Sequence, residues 1–108
     1  MKRGEVWWTD FDPATGSEIK KMRPAVIVSN DAANRFLSRV VVVPVTSNTA
    51  NIYPGEAAVT VGGKSSKAMA DQIATADKSR IKSQVDTLSK ADMKAVEDAI
   101  KVHLDLER

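Results

Sequence analysis

From Arg39 to Thr46 the chain reads Arg-Val-Val-Val-Val-Pro-Val-Thr, and this run limits the fold more than any other segment. Valine is stiff at its first side-chain torsion, which disfavours helix, and its branched carbon packs well on a pleated surface. Val40–Val45 is therefore the strongest strand signal in the chain. Pro44 has no amide hydrogen to give to a ladder, so it calls for an edge, a bulge or an early end to pairing. The rest of the first half follows the same pattern. Gly4–Phe11 carries Val6, Trp7, Trp8 and Phe11 and reads as a strand running into the turn formers Asp12–Ser17. Pro24–Ser29 is a short apolar run suited to a buried strand, and Asn30 or Asp31 caps a brief helix reaching Leu37.

Thr46 to Gly55 is a long polar loop containing Tyr53-Pro54, and such loops often carry function. Glu56–Val61 and Lys67–Ile73 read as two strands of a hairpin around Gly62-Gly63. Thr75–Ser83 is less regular, and Val85–Leu88 offers a last short strand. Ser89 followed by Asp92 resembles a capping box, and Met93, Val96, Ile100 and Leu104 then recur at helical spacing. The expectation is a mainly β, α+β fold: a strongly curved antiparallel sheet or barrel closed by a C-terminal helix.

At 108 residues, 43% of them apolar, the chain holds enough for one compact domain over residues 1–108 and too little for two. With no cysteine, disulfides, thiolate metal sites and a cysteine nucleophile are excluded. No signal peptide and no ~20-residue apolar span is visible, which points to the cytoplasm rather than a membrane. The net charge of +2 argues only weakly for a nucleic-acid partner. Two basic clusters, Lys20-Lys21-Arg23 and Lys78-Arg80-Lys82, are by themselves ordinary solvated faces.

The residue inventory narrows the chemistry further. A two-histidine ribonuclease mechanism needs a base and an acid, and His103 is the only histidine. It falls near the end of the terminal helix, where a packing role is expected. Asp10 and Asp12 alternate along a strand end and could hold a hard cation, although aspartates at such junctions more often bond their own backbone. Glycine-rich phosphate loops and nucleophile elbows are absent. What remains is Arg23 at the entrance of one strand and Thr46-Ser47 at the exit of another. A planar guanidinium and hydroxyls are donors suited to phosphate. From the residues alone this is a possible phosphate or nucleic-acid site and nothing sharper.

Five motifs then occur in order: Lys2–Trp7 (Lys-Arg-Gly-Glu-Val-Trp), Asp12-Pro13 with Gly16-Ser17-Glu18, Arg23–Val28 (Arg-Pro-Ala-Val-Ile-Val), Val42–Ser47 (Val-Val-Pro-Val-Thr-Ser) and Ala70-Asp71-Gln72. Together they resemble toxins of the MazF/PemK (Kid) family, from the N-terminus through at least Ile73, and the terminal helix fits as well. The resemblance implies an SH3-like barrel with appended helices and a homodimer. It also implies metal-independent cleavage of single-stranded RNA within short sequences, with no cofactor. The substrate's 2′-hydroxyl would attack the adjacent phosphorus, leaving a 2′,3′-cyclic phosphate and a 5′-hydroxyl. A cognate antitoxin with an acidic, disordered segment would block the RNA groove. The alternative on the same fold is a toxin acting through protein contacts, as CcdB-like gyrase inhibitors do.

Carried over residue by residue, the family pattern matches Arg23 and Thr46 cleanly. Of the Kid-like His, Arg and Asp triad only Asp71 matches, because Ser17 and Met69 occupy the other two positions. The expected catalytic set is Arg23 and Thr46, with Asp71 secondary. An ordinary guanidinium keeps its proton near neutral pH, so the general base stays open between Asp71 or Glu18 acting through a water, with orientation of the backbone or of Arg23 the equal alternative for Asp71. The expected RNA-binding set is Ser17, Glu18, Lys20 and Lys21 before Arg23, and Ser47, Asn48, Thr49 and Tyr53 after Thr46. Tyr53 either stacks on a base or packs beside Pro54. Trp7 and Trp8 must face opposite sides of their strand, so at least one belongs to the core or a dimer interface.

Overall fold

A computed structural model describes residues 1–107, so the expected domain boundary at Arg108 lies outside the described residues. Seven strands and two helices follow one another as β1 (Glu5–Asp10), β2 (Met22–Ile27), α1 (Asp31–Phe36), β3 (Arg39–Thr46), β4 (Glu56–Val61), β5 (Lys64–Met69), β6 (Ala74–Asp77), β7 (Ile81–Thr87) and α2 (Lys90–His103). The sheet is antiparallel with the order β4-β5-β3-β2-β1-β7, and β6 adds a third partner to β3. Its two ends, β4 and β7, approach each other without a ladder. Their link is one bond from the Gly62 amide to Asp86 Oδ2 at 2.8 Å. The sheet is thus a strongly curled half-barrel followed by a C-terminal helix, the mainly β architecture expected from the sequence.

The valine run is uninterrupted because β3 has a core on each side. Val43 and Val45 pack with Val6, Val26, Ala68 and Val96, whereas Val40 and Val42 pack with Ala25, Ile27, Ala76 and Ile81. A strand buried on both faces shows no alternation of apolar and polar residues. Pro44 sits inside this strand, fully buried, and not at an edge. It is tolerated because the partner changes there: β6 pairs with residues Arg39 to Val42, and β5 takes over at Val45 and Thr46. A missing amide hydrogen does least harm where one ladder has ended and the next has not begun.

Elsewhere the elements lie close to expectation, with boundary shifts that have local causes. Gly62 and Gly63, both at positive φ, form the two-residue hairpin turn, which starts β5 at Lys64 rather than Lys67. A short 3-10 turn over Ala70–Gln72 ends that strand before Ile73. The irregular stretch after it contains β6 and a second 3-10 turn, Lys78–Arg80. Ser89 caps α2 by accepting from the Asp92 amide at 3.1 Å. The reciprocal half of the expected capping box is missing, because Asp92 Oδ2 instead accepts from the Thr60 amide at 2.9 Å and ties α2 to β4. Val96 and Ala99 are the buried residues of α2, while Leu104 lies past its end and is exposed.

Candidate functional site: a phosphate clamp across two strand ends

Arg23 and Thr46 are brought together by the β2–β3 register. The paired residues run Ile27 to Val42, Val26 to Val43 and Ala25 to Pro44. The ladder ends there, and Arg23 and Thr46 lie two residues beyond it on the two strands, where both line one cavity. On its other side Arg23 pairs with Thr9, and Thr46 pairs with Lys67. Residues opposite one another share a face of the sheet. Thr9 with Arg23 and Thr46 with Lys67 are therefore two same-face pairs. Arg23, Thr46 and Ser47 also line one open cavity of about 390 Å³, together with Trp8, Pro24, Lys64 and Ser66. Its wall takes residues from six strands, which is possible only because the curl brings β4 and β7 face to face.

Each donor in the pair is held by one bond and keeps the rest of its capacity. Arg23 is half-buried, and its Nε donates to the Lys20 carbonyl at 3.3 Å. The two terminal guanidinium nitrogens have no partner among the described residues, so the fork that matches a phosphate stays unengaged. The Thr46 hydroxyl oxygen accepts from the Asn48 amide at 3.3 Å, which leaves its own proton uncommitted. The arrangement offers three N–H or O–H donor groups to the oxygens of a single phosphodiester.

The two basic clusters turn out to be unlike. In the second, Lys78 Nζ donates to the Asn34 carbonyl at 2.5 Å and Lys82 Nζ to the Ser79 carbonyl at 2.9 Å. Arg80 donates to the carbonyls of Asp10 and Asp12 at 3.2 and 2.5 Å. These cations bind backbone. Lys20 and Lys21 are exposed, with no side-chain partner among the described residues. The free positive charge therefore lies on the loop leading to Arg23.

The other expected residues divide among neighbouring places. Asp71, Ser17 and Glu18 line a second cavity of about 520 Å³ with Gln72, Thr75 and Arg80, and not the one lined by Arg23 and Thr46. Glu18 Oε1 accepts from the Thr15 amide at 2.7 Å inside its own turn. Asn48 Oδ1 accepts from the Ala50 amide at 3.3 Å, and Thr49 borders a third depression beside Ile52 and Asp92. Tyr53 is 62% exposed, with the Lys67 ammonium 5.7 Å from its ring centroid, so it is not packed away against Pro54. Asp10 and Asp12 are occupied by the turn: they accept from the amides of Asp12 and Lys21 at 3.0 and 2.9 Å. Among the described residues no group of three or more His, Asp or Glu side chains could hold a metal ion, and no helix is long and apolar enough to cross a membrane.

Three residues about the site lie outside the expected catalytic and binding sets. Trp8 is 39% exposed and lines the Arg23 cavity, while Trp7 is half-buried against the second core, its Nε1 donating to Glu5 at 3.0 Å. The alternation along β1 required the split but did not say which way it fell. Gln72 is the second: its Oε1 accepts from the Ile19 amide at 3.2 Å and its Nε2 donates to the Ser17 carbonyl at 3.4 Å. It thereby anchors the loop whose Lys20 carbonyl holds Arg23, and its place beside Asp71 in a quoted motif was the available signal. Lys64 is the third, brought in by the hairpin. The hairpin itself is held to β7 by Asp86, whose carboxyl the Gly62 and Thr87 amides keep below the usual carboxylate range.

Comparison with known proteins agrees with this geometry. The model of the family described as "PemK-like, MazF-like toxin of type II toxin-antitoxin system" matches residues 2–104. The chain is 44% identical to endoribonuclease MazF9 of Mycobacterium tuberculosis, covering 98% of each protein. It is 37% identical to endoribonuclease MazF of Staphylococcus saprophyticus, covering 98% of this chain and 92% of that one. Among solved structures, MazF of Deinococcus radiodurans superposes with a TM-score of 0.87 at 27% identity, covering 98% of this chain and 97% of that one. A mycobacterial endoribonuclease in complex with its cognate antitoxin superposes at 0.83 with 26% identity, covering 100% and 98%. A family match over nearly every residue, close relatives along the full length and the Arg23–Thr46 pair at the mouth of the half-barrel agree: the chain belongs to the PemK-like, MazF-like toxins of type II toxin–antitoxin systems.

Proposed function

We propose that this chain is a toxin that cuts single-stranded RNA within a short sequence, as a metal-independent endoribonuclease. The observation that carries the proposal is the pairing of an unengaged guanidinium fork at Arg23 with an uncommitted hydroxyl proton at Thr46. The full-length relatives named as endoribonucleases support it. In this reaction the substrate's 2′-hydroxyl oxygen bonds to the adjacent phosphorus and the bond to the 5′-oxygen breaks, giving a 2′,3′-cyclic phosphate and a 5′-hydroxyl. The nucleophile comes from the RNA, so the chain needs no nucleophilic side chain of its own. Arg23 neutralises the non-bridging oxygens as charge builds on the phosphorane and donates a hydrogen bond to the leaving 5′-oxygen, which takes its proton from solvent water. Thr46 donates to the same group. Preorganised donors of this kind are typically worth about 10²–10³ in rate each. The 2′-proton passes through a water to Asp71 or Glu18, the carboxylates of the adjoining cavity.

Residues 1–108 act as one toxin domain in this proposal, working as a homodimer in the cytoplasm. Lys20 and Lys21 draw in phosphates without regard to sequence, and Ser17, Ser47, Asn48, Thr49 and Tyr53 contact the bases. The partner is an antitoxin whose acidic, disordered segment covers the Lys20–Arg23 cluster. The solved MazE–MazF complexes of Deinococcus radiodurans, one of them 28% identical over 99% of this chain, support a protein partner for the toxin.

The test is direct. Purified protein is incubated with a long single-stranded RNA in EDTA and the new ends are mapped. Cleavage at a recurring short sequence with cyclic-phosphate ends is expected, and Arg23→Ala abolishes it while the melting curve is preserved. An RNA left intact, or cleavage lost with the chelator, counts against the ribonuclease and turns attention to a toxin acting through protein contacts.

A further inference from the structure

Thr46 shares a cavity with one cation, Arg23 of β2, and is paired across the ladder with another, Lys67 of β5. The two are not equivalent. Arg23 keeps its terminal nitrogens unengaged, whereas the Lys67 ammonium is fully committed. It donates to the Asn51 carbonyl at 2.8 Å and to Glu56 Oε1 at 3.0 Å, and it lies 5.7 Å from the Tyr53 ring centroid. The Lys67 and Glu56 side chains are only 11% and 8% exposed. The same Glu56 oxygen accepts from the Tyr53 amide at 2.9 Å, and the Glu56 amide donates to the Tyr53 carbonyl at 2.8 Å. The loop between β3 and β4 is therefore held at its exit by Lys67 with Glu56. At its entrance it is held by the Thr46 hydroxyl, through the Asn48 amide. The two anchors are cross-strand neighbours.

A nearly buried ion pair is a poor device for stability alone, because desolvation offsets most of its attraction. Its effect here is geometric, since every bond it makes beyond the pair goes to this one loop. With Lys67 beneath its ring and 62% of the residue open to solvent, Tyr53 is presented as a supported aromatic surface. We infer that Lys67, paired with Glu56, is a positioning residue for RNA selectivity. It fixes the loop so that Asn48 and Tyr53 meet the bases flanking the phosphate held by Arg23 and Thr46. The inference rests on the ribonuclease function proposed above and deepens it.

Three variants test it: Lys67→Met, which keeps length and loses charge, Glu56→Gln, and Lys67→Arg as the conservative control. The first readout needs no RNA and is amide hydrogen exchange over residues 48–53. The second is steady-state cleavage of short RNAs carrying the sequence mapped for the wild-type protein, alongside single-base variants of it. Loss of a hydrogen bond to a charged group corresponds to about tenfold or more in local opening, so exchange in the loop rises by at least that factor in Lys67→Met and Glu56→Gln. KM for the mapped sequence rises about tenfold and discrimination against single-base variants shrinks, while kcat stays within about threefold. Lys67→Arg recovers part of both effects. Unchanged exchange overturns the clamp. A loosened loop with unchanged KM and discrimination overturns its role in selectivity, and a fall in kcat with KM unchanged would make Lys67 a group acting on the reacting phosphate. If Lys67→Met fails to fold, Glu56→Gln carries the same comparisons, since it keeps the volume and an acceptor for the Tyr53 amide. A wild-type protein that cuts none of the RNAs overturns the ribonuclease and its selectivity together. The exchange result then decides the clamp alone, so the two failures are told apart.

Discussion

Thr46→Val exchanges a hydroxyl for a methyl group of similar size and keeps the β-branched carbon that suits a strand. Its consequences for folding and for catalysis can therefore be weighed separately. In the fold, the hydroxyl accepts one bond, from the exposed Asn48 amide at 3.3 Å. Water can replace that acceptor, so the loss falls at the low end of the roughly 0.5–1.5 kcal/mol typical of a single hydrogen bond. At about 4–8 °C per kcal/mol for a domain near this size, the melting temperature drops by only a few degrees. In the reaction, the same hydroxyl is a preorganised donor toward developing charge, and removing one such donor costs about 10²–10³ in kcat, or roughly 2.7–4 kcal/mol. The catalytic loss exceeds the folding loss severalfold. The assay is kcat on a saturating short RNA beside a thermal melt of the same preparation. Thr46→Ser, which keeps the donor, should return to within about tenfold of wild type. A folded Thr46→Val protein retaining more than about a tenth of kcat would refute the role given to this hydroxyl.

Three further outcomes are expected. Gln72→Leu removes both bonds to the Ser17–Ile19 backbone; kcat/KM falls about tenfold through a misplaced Arg23, and a crystal structure of the variant should show that loop displaced. Arg80→Met strips two carbonyls at the end of β1 of their donor; it costs about 1.5–3 kcal/mol in denaturant unfolding while cleavage by the folded fraction persists. Asp86 has its carboxyl pKa lowered first by the Gly62 amide and then by the Thr87 amide. Its contribution is therefore complete above the unfolded value of about 3.9 and is lost as pH falls through the lower folded value. In Asp86→Asn, protection of the Gly62 amide relative to its intrinsic exchange rate should lose its dependence on pH in that acid window; an unaltered profile would remove Asp86 as the link between hairpin and β7.

The strands and the terminal helix were legible because their signals are local. A run of valines, an alternation, a capping serine and a spacing of three and four residues each report on a few adjacent positions. That locality also explains the misplaced boundaries. Gly62-Gly63 marked the turn, but the polar Lys64-Ser65-Ser66 after it carries no strand signal of its own, and nothing near Asp92 says that its carboxylate will leave the cap for the Thr60 amide. Pro44 is the sharpest case. Its missing hydrogen bond was plain in the sequence, but that the vacancy falls between two successive partners depends on segments some thirty residues away.

The residues capable of phosphate chemistry were also written in the chain: a single histidine, no cysteine, and Arg23 and Thr46-Ser47 at two strand ends. Those are properties of single side chains and need no partner to be read. Only the tertiary structure decided which of them meet. Register pairs Thr9 with Arg23 and Thr46 with Lys67, and Arg23 and Thr46 come to line one cavity. Backbone carbonyls claim Lys78, Arg80 and Lys82 and leave Lys20 and Lys21 free, and the curl of the sheet sets Asp71 in the cavity next door. Pairing of strands distant in sequence follows from burying two cores at once, a condition on the whole chain that no short stretch of it records.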